Sequence, residues 1–255
     1  MISIQNRITA LVKLGDFLGQ FSIEKIEKRD NIEHNELFFE GFLHQIKIAQ
    51  ESNSWFTKNN ILFALNSISK SLTYNSLDLF VKSVNLNIIS SKKVAVIMAG
   101  NIPLVGFHDF LSVLISGHSV LVKQSSNDKH LLPFLAKYLE HIEENFKGKI
   151  TFTEEKLTDF DAVIATGSDN TARYFEFYFK NKPNIIRKSR NSVAIITGKE
   201  TEQDFIKLSD DVFQYFGLGC RSVSKLYVPK DYNFDMFFAG MYSKKDMIHN
   251  AKYAN

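Results

Sequence analysis

The chain has 255 residues, of which 44% are hydrophobic and 23% charged, an ordinary globular mix with enough length to bury a sizeable core. With 31 Lys and Arg against 28 Asp and Glu the net charge is +3, too little to imply a nucleic acid or an anionic membrane as partner. A lone cysteine excludes a disulfide framework and a multi-cysteine metal site, so no metal is expected, and a free thiol fits a reducing compartment.

The N-terminal run MISIQNRITALVKLGDF mixes charges into its apolar residues and has no small-residue cleavage site. The cytoplasm is therefore the expected location. Apolar residues at three- and four-residue spacing (Ile8, Leu11, Val12, Leu14, Leu18; Leu37, Phe38, Phe42, Ile46; Ile61, Leu62, Leu65, Ile68) predict helices through the first third. Asn75 and Ser76 open a further short one. No acid or base constellation stands out there, and Trp55 and Phe56 read as core or as the wall of a pocket.

After residue 90 the rhythm changes. Short β-rich runs at 94–98, 119–122, 150–153, 162–165 and 193–196 alternate with amphipathic segments at 104–115, 129–145, 170–180 and 202–213. The apolar stretch 94–122 is broken by Gly100, Pro103, Gly106, Gly117 and a His-Asp pair, which predicts strand, loop, helix and strand rather than a membrane span. Alternation of this kind predicts an α/β fold, doubly wound around a mostly parallel sheet, behind an N-terminal helical segment. The expected organisation is a helical segment at 1–90, a dinucleotide-binding region at 91–188 and the start of a thiol domain at 189–255. Its weakest joints fall at 90–93 and at the turn around Lys182-Pro183-Asn184.

Binding sites in such sheets lie at the carboxyl ends of the strands, and the unusual residues fall there. Ala99-Gly100-Asn101-Ile102-Pro103 follows the first strand and offers the Asn101 amide to a cleft, although a plain strand-to-helix turn needs the same residues. Lys123-Gln124-Ser125-Ser126-Asn127-Asp128 follows the second, one cation among hydroxyl and amide donors; Asn127 or Asp128 is expected to cap the next helix. Gly167 and Ser168 open the turn after the fourth strand, where small residues let backbone amides approach a phosphate. The most specific run is Phe216-Gly217-Leu218-Gly219-Cys220-Arg221-Ser222, in which glycines allow a bend that exposes the only thiol, and peptide N–H groups with Arg221 favour its thiolate. A buried, inert cysteine is the bland alternative. His108 and His118 flank the same apolar segment and are candidate proton donors, although histidines at such positions more often have ordinary helix-face or turn roles.

Taken in order, positions 101, 123, 168 and 220 resemble the aldehyde dehydrogenase superfamily. The Gly-Asn-Ile-Pro and Gly-Leu-Gly-Cys-Arg-Ser forms are most similar to its LuxC-type acyl-CoA reductase branch. The resemblance spans roughly 94–229. It implies that Cys220 takes an acyl group from coenzyme A as an enzyme thioester and that Asn101, with the Cys220 N–H, holds the oxyanion. It also implies that Lys123 contacts the adenosine ribose and that Gly167 and Ser168 lie near the cofactor pyrophosphate. Aldehyde-oxidising relatives carry a glutamate that activates water in the stretch that here reads Arg187-Lys188-Ser189-Arg190-Asn191. Without that base the thioester should outlast water, which implies reduction of an acyl-CoA to an aldehyde. Ser126 stands where NAD-preferring relatives often place a glutamate, and with Ser125 and Lys123 it implies NADPH. An oxidative aldehyde dehydrogenase and a non-catalytic binding module on the same fold are the alternatives. Only 35 residues follow Cys220, so the resemblance implies a chain that continues further. Acyl chain length is not legible, and a homo-oligomer is left open.

Overall fold

The computed structural model describes residues 2–84 and 90–254. The chain divides into two compact units, Met1–Lys188 and Ser189–Asn255. Among the described residues no helix is long and apolar enough to cross a membrane.

The first unit begins with four helices, α1 (Ile4–Leu18), α2 (Asn35–Ser52), α3 (Lys58–Ser71) and α4 (Tyr74–Lys82). Three start at a hydroxyl residue, Ser3, Thr57 or Thr73, whose oxygen accepts the N–H three residues on, the usual way of satisfying a donor left open in a first turn. Their apolar stripes supply fully buried Leu11, Leu14, Phe17, Phe42, Ile61 and Leu65. Each such side chain contributes roughly 1.5–3 kcal/mol by leaving water.

Five parallel strands follow: β1 (Lys93–Ile97), β2 (Ser119–Lys123), β3 (Ile150–Phe152), β4 (Ala162–Thr166) and β5 (Asn184–Arg187). Between them lie α5 (Phe107–Ile115), α6 (Leu131–Ile142) and α7 (Asp169–Phe179). The spatial order is β3-β2-β1-β4-β5, so the chain winds outward from β1 on one side and then returns to β4 on the other. That reversal between β1 and β4 is a topological switch point, where open α/β sheets bind ligands.

Alternation along the strands gives the sheet two buried faces. Val94, Val96, Val120 and Val122 join the large core formed with the N-terminal helices. Ala95, Val163 and Ala165 face a smaller one with Phe160, Phe175 and Phe179. The helical layer is fastened to α6 by aromatic packing: the Tyr138 ring stacks on Phe17 with centroids 4.3 Å apart, and its hydroxyl donates to the Glu33 carbonyl at 3.0 Å. The N-terminal helices therefore share a core with the sheet.

Strand β5 follows directly on the turn expected around Lys182-Pro183-Asn184, where no strand was predicted. Its Asn184 and Ile185 are exposed, as suits an edge strand, and an edge needs no apolar run to announce it. Helix α5 starts three residues later than its apolar pattern, for a reason that lies in the loop before it.

The second unit pairs β6 (Ser192–Ile195) in parallel with β7 (Val223–Tyr227) and packs α8 (Glu202–Phe213) against α9 (Asp235–Tyr242). Helix α8 opens with a reciprocal Thr201–Asp204 capping box. Phe205, buried on α8, meets Gly240 of α9 so closely that no Cβ fits there.

Candidate functional site

In the first unit, strand register brings the loops to one edge. Ile97 pairs with both Lys123 and Ala165, and Thr166 pairs with Arg187, so the carboxyl ends of β1, β2, β4 and β5 finish level. The segments that carry Asn101, Lys123, Ser125, Ser126, Gly167 and Ser168 leave from that edge.

The loops after β1 and β2 touch. A Cβ on Gly100 would stand 2.5 Å from Ser125 Oγ and 2.6 Å from Ser125 Cβ, so only glycine permits this approach. Asn101 follows in an exposed bend, and Pro103 turns inward. Leu104 then adopts a left-handed conformation, φ 56°, unfavourable for a branched side chain. Its N–H donates to Asp128 Oδ2 at 2.7 Å, and its carbonyl accepts from Phe107 N–H at 2.9 Å to start α5. This is why the helix begins late.

Asp128 does not cap the following helix, nor does Asn127. Helix α6 starts at Leu131 behind His130 and has no side-chain cap, because the Asp128 carboxyl is turned inward to Leu104. Burial raises its pKa from 3.8 to about 7, opposed by the Leu104 N–H, which favours the charged form. In the same loop Lys123 Nζ donates to the Glu155 carbonyl at 2.8 Å, and Ser125 Oγ accepts the Asn127 N–H at 3.3 Å. Ser126 is exposed.

After β4, Gly167 donates its N–H to the Arg187 carbonyl at 3.1 Å. A Cβ there would lie 3.0 Å from Thr171 Cβ and 3.2 Å from the Phe175 ring. Ser168 is the N-cap of α7: its Oγ accepts the Thr171 N–H at 3.3 Å and lies 2.9 Å from Thr171 Oγ1.

One feature of this edge escaped the sequence reading. Asp109, in the first turn of α5, is buried and paired with Arg187 of β5 at 2.8 Å, which ties α5 to the strand whose carbonyl holds Gly167. The available signal was a carboxylate inside the otherwise apolar run Phe107 to Ile115, since charges seldom enter such a face unpaired. Of the two histidines, one lies away from this edge. His118 precedes β2, at the opposite end of the sheet, and its Nδ1 accepts the Lys92 N–H at 3.1 Å, while burial lowers its pKa. His108 is exposed, its ring edge-on to Phe80.

In the second unit Cys220 occupies, with Arg221, the middle of a turn closed by the Ser222 N–H on the Gly219 carbonyl at 3.0 Å. The thiol is exposed, and β7 begins at Val223. Ahead of the turn, Tyr215, Phe216 and Gly217 take φ values of 56°, 58° and 73°. Two aromatic residues in the left-handed region store roughly 1–2 kcal/mol each, in the segment that leads to Gly219 and the cysteine turn. Burial pushes the Tyr215 phenol up to about 12, so it stays neutral. Among the described residues no cluster of three or more His, Cys, Asp or Glu could hold a metal.

The family model for acyl-CoA reductase (LuxC) matches residues 16–237. No curated protein matches the chain. Among solved structures it is similar to aldehyde dehydrogenase 21 from Physcomitrella patens in complex with the reaction product succinate, with 14% identity, 95% of this chain and 52% of that one covered and a TM-score of 0.67. A variant aldehyde dehydrogenase from Bacillus cereus gives 17%, 96%, 51% and 0.68. A variant of aldehyde dehydrogenase C from Pseudomonas syringae, complexed with NAD+ and octanal, gives 9%, 95%, 50% and 0.67. The chain thus spans about half the length of these proteins. At such identities the likeness speaks for the fold, which is the aldehyde dehydrogenase fold. With most of its length matched by the family model, the chain belongs to the LuxC acyl-CoA reductase family.

Proposed function

We propose that this protein reduces an acyl-CoA thioester, a fatty acyl one by the family reading, to an aldehyde with NADPH, through a thioester on Cys220. The observation that carries this is an exposed thiol at the apex of a tight turn, on a chain of the acyl-CoA reductase family. A small hydrophobic cysteine would be buried.

The strand-end residues suit a dinucleotide. Gly167, packed closely against Thr171 and Phe175, precedes the capped start of an 11-residue helix, and a helix N-terminus of that kind favours a phosphate. Lys123, Ser125 and Ser126 supply donors, and no carboxylate stands between 123 and 127 to repel a 2′-phosphate. Residues 91–188 are accordingly assigned as the dinucleotide-binding region and 189–255 as the start of the thiol domain. When bound, the reduced nicotinamide supplies the electron pair for the reduction.

The chain's own residues then have distinct tasks. The Cys220 thiolate attacks the acyl carbonyl, and coenzyme A leaves as a thiolate with the electron pair of the broken C–S bond. Asn101 is assigned the amide that steadies the developing oxyanion, a role whose loss typically costs about 3 kcal/mol of transition-state stabilisation. Water is a poor competitor, because the run 187–191 has no carboxylate and Asp109, which reaches Arg187, is occupied by that ion pair. After reduction the remaining C–S bond breaks, releasing aldehyde and restoring the thiolate.

Intact-protein mass spectrometry after incubation with a panel of acyl-CoAs tests the reading: one acyl adduct is expected, absent in Cys220→Ser, and discharged by NADPH faster than by NADH. An adduct that persists in Cys220→Ser would sink the nucleophile; tighter binding of NADH would sink the cofactor preference.

A further inference from the structure

We infer that Asp128 is a positioning residue for acyl transfer: its carboxyl, bonded to the Leu104 amide, locks the 100–104 loop against the 123–127 loop and so fixes Asn101. The inference rests on the reading of Asn101 as the oxyanion amide, and nothing in that reading requires an acid at 128.

The geometry places Asp128 at the junction of both loops. Its backbone closes the second: its N–H donates to the Ser125 carbonyl at 3.1 Å, and its carbonyl accepts from Gln124 Nε2 at 2.8 Å. Its side chain closes the first, through the 2.7 Å bond to Leu104. The same second loop is anchored to the helical layer by Asn53 Nδ2 on the Asn127 carbonyl at 3.2 Å.

The arrangement is unfavourable taken by itself. Asp128 is only 8% exposed, and its Oδ1 is buried without a hydrogen-bond partner, a state that proteins avoid. It also holds a leucine in the left-handed region. A neutral acceptor, or a glycine at 104, would give the same chain path with less strain. Strain of this kind is kept where a neighbouring group must stand in one place, and three residues before Leu104 stands Asn101. Misplacing a catalytic group by about 1 Å costs on the order of 100-fold in rate, so a loop freed at Leu104 has a measurable consequence.

The test compares Asp128→Leu, which fills the buried space and removes the acceptor, with Asp128→Asn, which keeps an acceptor oxygen. Asp128→Ala repeats the first should leucine crowd the site. In the full chain, hydrogen exchange at the Leu104 amide and single-turnover acyl transfer to Cys220 are read side by side. Loss of the acceptor should speed Leu104 exchange and slow acyl transfer at least about tenfold, with KM for acyl-CoA changed less than about twofold; Asp128→Asn should stay within about threefold of the parent in both. A parent-like transfer rate without the acceptor, or Asp128→Asn slowed equally while Leu104 remains protected, would overturn the role. Absence of acyl transfer in the unsubstituted chain would overturn the function and this role with it, an outcome told apart because exchange at Leu104 is measured without turnover.

Discussion

Replacing Gly100 by alanine tests whether the two loops at the sheet edge are built as one object. The added Cβ would stand 2.5 and 2.6 Å from Ser125 Oγ and Cβ and 3.2 Å from Asn127 Cβ. Relieving those contacts means separating the loops by about 1 Å, and overpacking of this size costs roughly 1–3 kcal/mol. Gly100 is not among the left-handed residues, so the penalty is one of space and not of backbone conformation. Against it stands a gain of about 0.4–1 kcal/mol from a stiffer unfolded chain, leaving a net loss of about 1–2 kcal/mol. For a chain of this length that lowers the melting temperature by about 3–6 °C, readable by circular dichroism. Both of the closest atoms belong to Ser125, so Gly100→Ala combined with Ser125→Gly should recover most of the loss relative to Ser125→Gly alone. A fully additive double mutant, or an unchanged midpoint for Gly100→Ala, would show that the loops are not in this contact.

Other consequences of the same edge are open to measurement. Arg187→Met should destabilise the chain by about 2 kcal/mol in chemical denaturation because it strands a buried carboxylate, and adding Asp109→Leu should recover most of that. Ser168→Ala should cost about 1 kcal/mol through the lost cap on α7, and Ser168→Asp, which keeps an acceptor there, should cost less. Asp128 adds a pH signature: its pKa in the native state is about 7 against 3.8 for the free acid, so the folded chain keeps a proton that the unfolded chain has lost. Stability should therefore fall as pH rises from about 4 to about 7, by up to about 4 kcal/mol. Asp128→Asn should flatten that slope in urea titrations taken across this range, and an unchanged slope would mean that the acid is not buried as described.

The sheet was legible because its strands have no choice about composition. A parallel strand covered on both faces must be apolar at successive positions, as in Val94-Ala95-Val96 and Val120-Leu121-Val122, and that run announces itself. Strand β5 lacks the signal because Asn184 and Ile185 face solvent at the edge. The turn around Cys220 was legible for a similar local reason, since Gly217 and Gly219 stand just ahead of the Cys220-Arg221 bend. The left-handed Tyr215 and Phe216 ahead of it were not, because those residue types disfavour the conformation and only the surrounding packing imposes it.

What no local pattern revealed are the pairings that make an edge out of separate loops. An Asp before a helix reads as a cap, and Asp128 has that position in the sequence; it is diverted because the register of β1 against β2 delivers the Leu104 amide, 24 residues earlier, to its carboxyl. Asp109 and Arg187 lie 78 residues apart and meet because β5 joins the sheet beyond β4, on the far side from β2. Asp109 and Asp128 are both carboxyl groups in buried places, so the partner of each is set by topology and its cost by burial. The residue types at the strand ends can thus be read one by one, but the rigidity that the proposed roles of Asn101 and Gly167 require comes from contacts that exist only after the strands have chosen their neighbours.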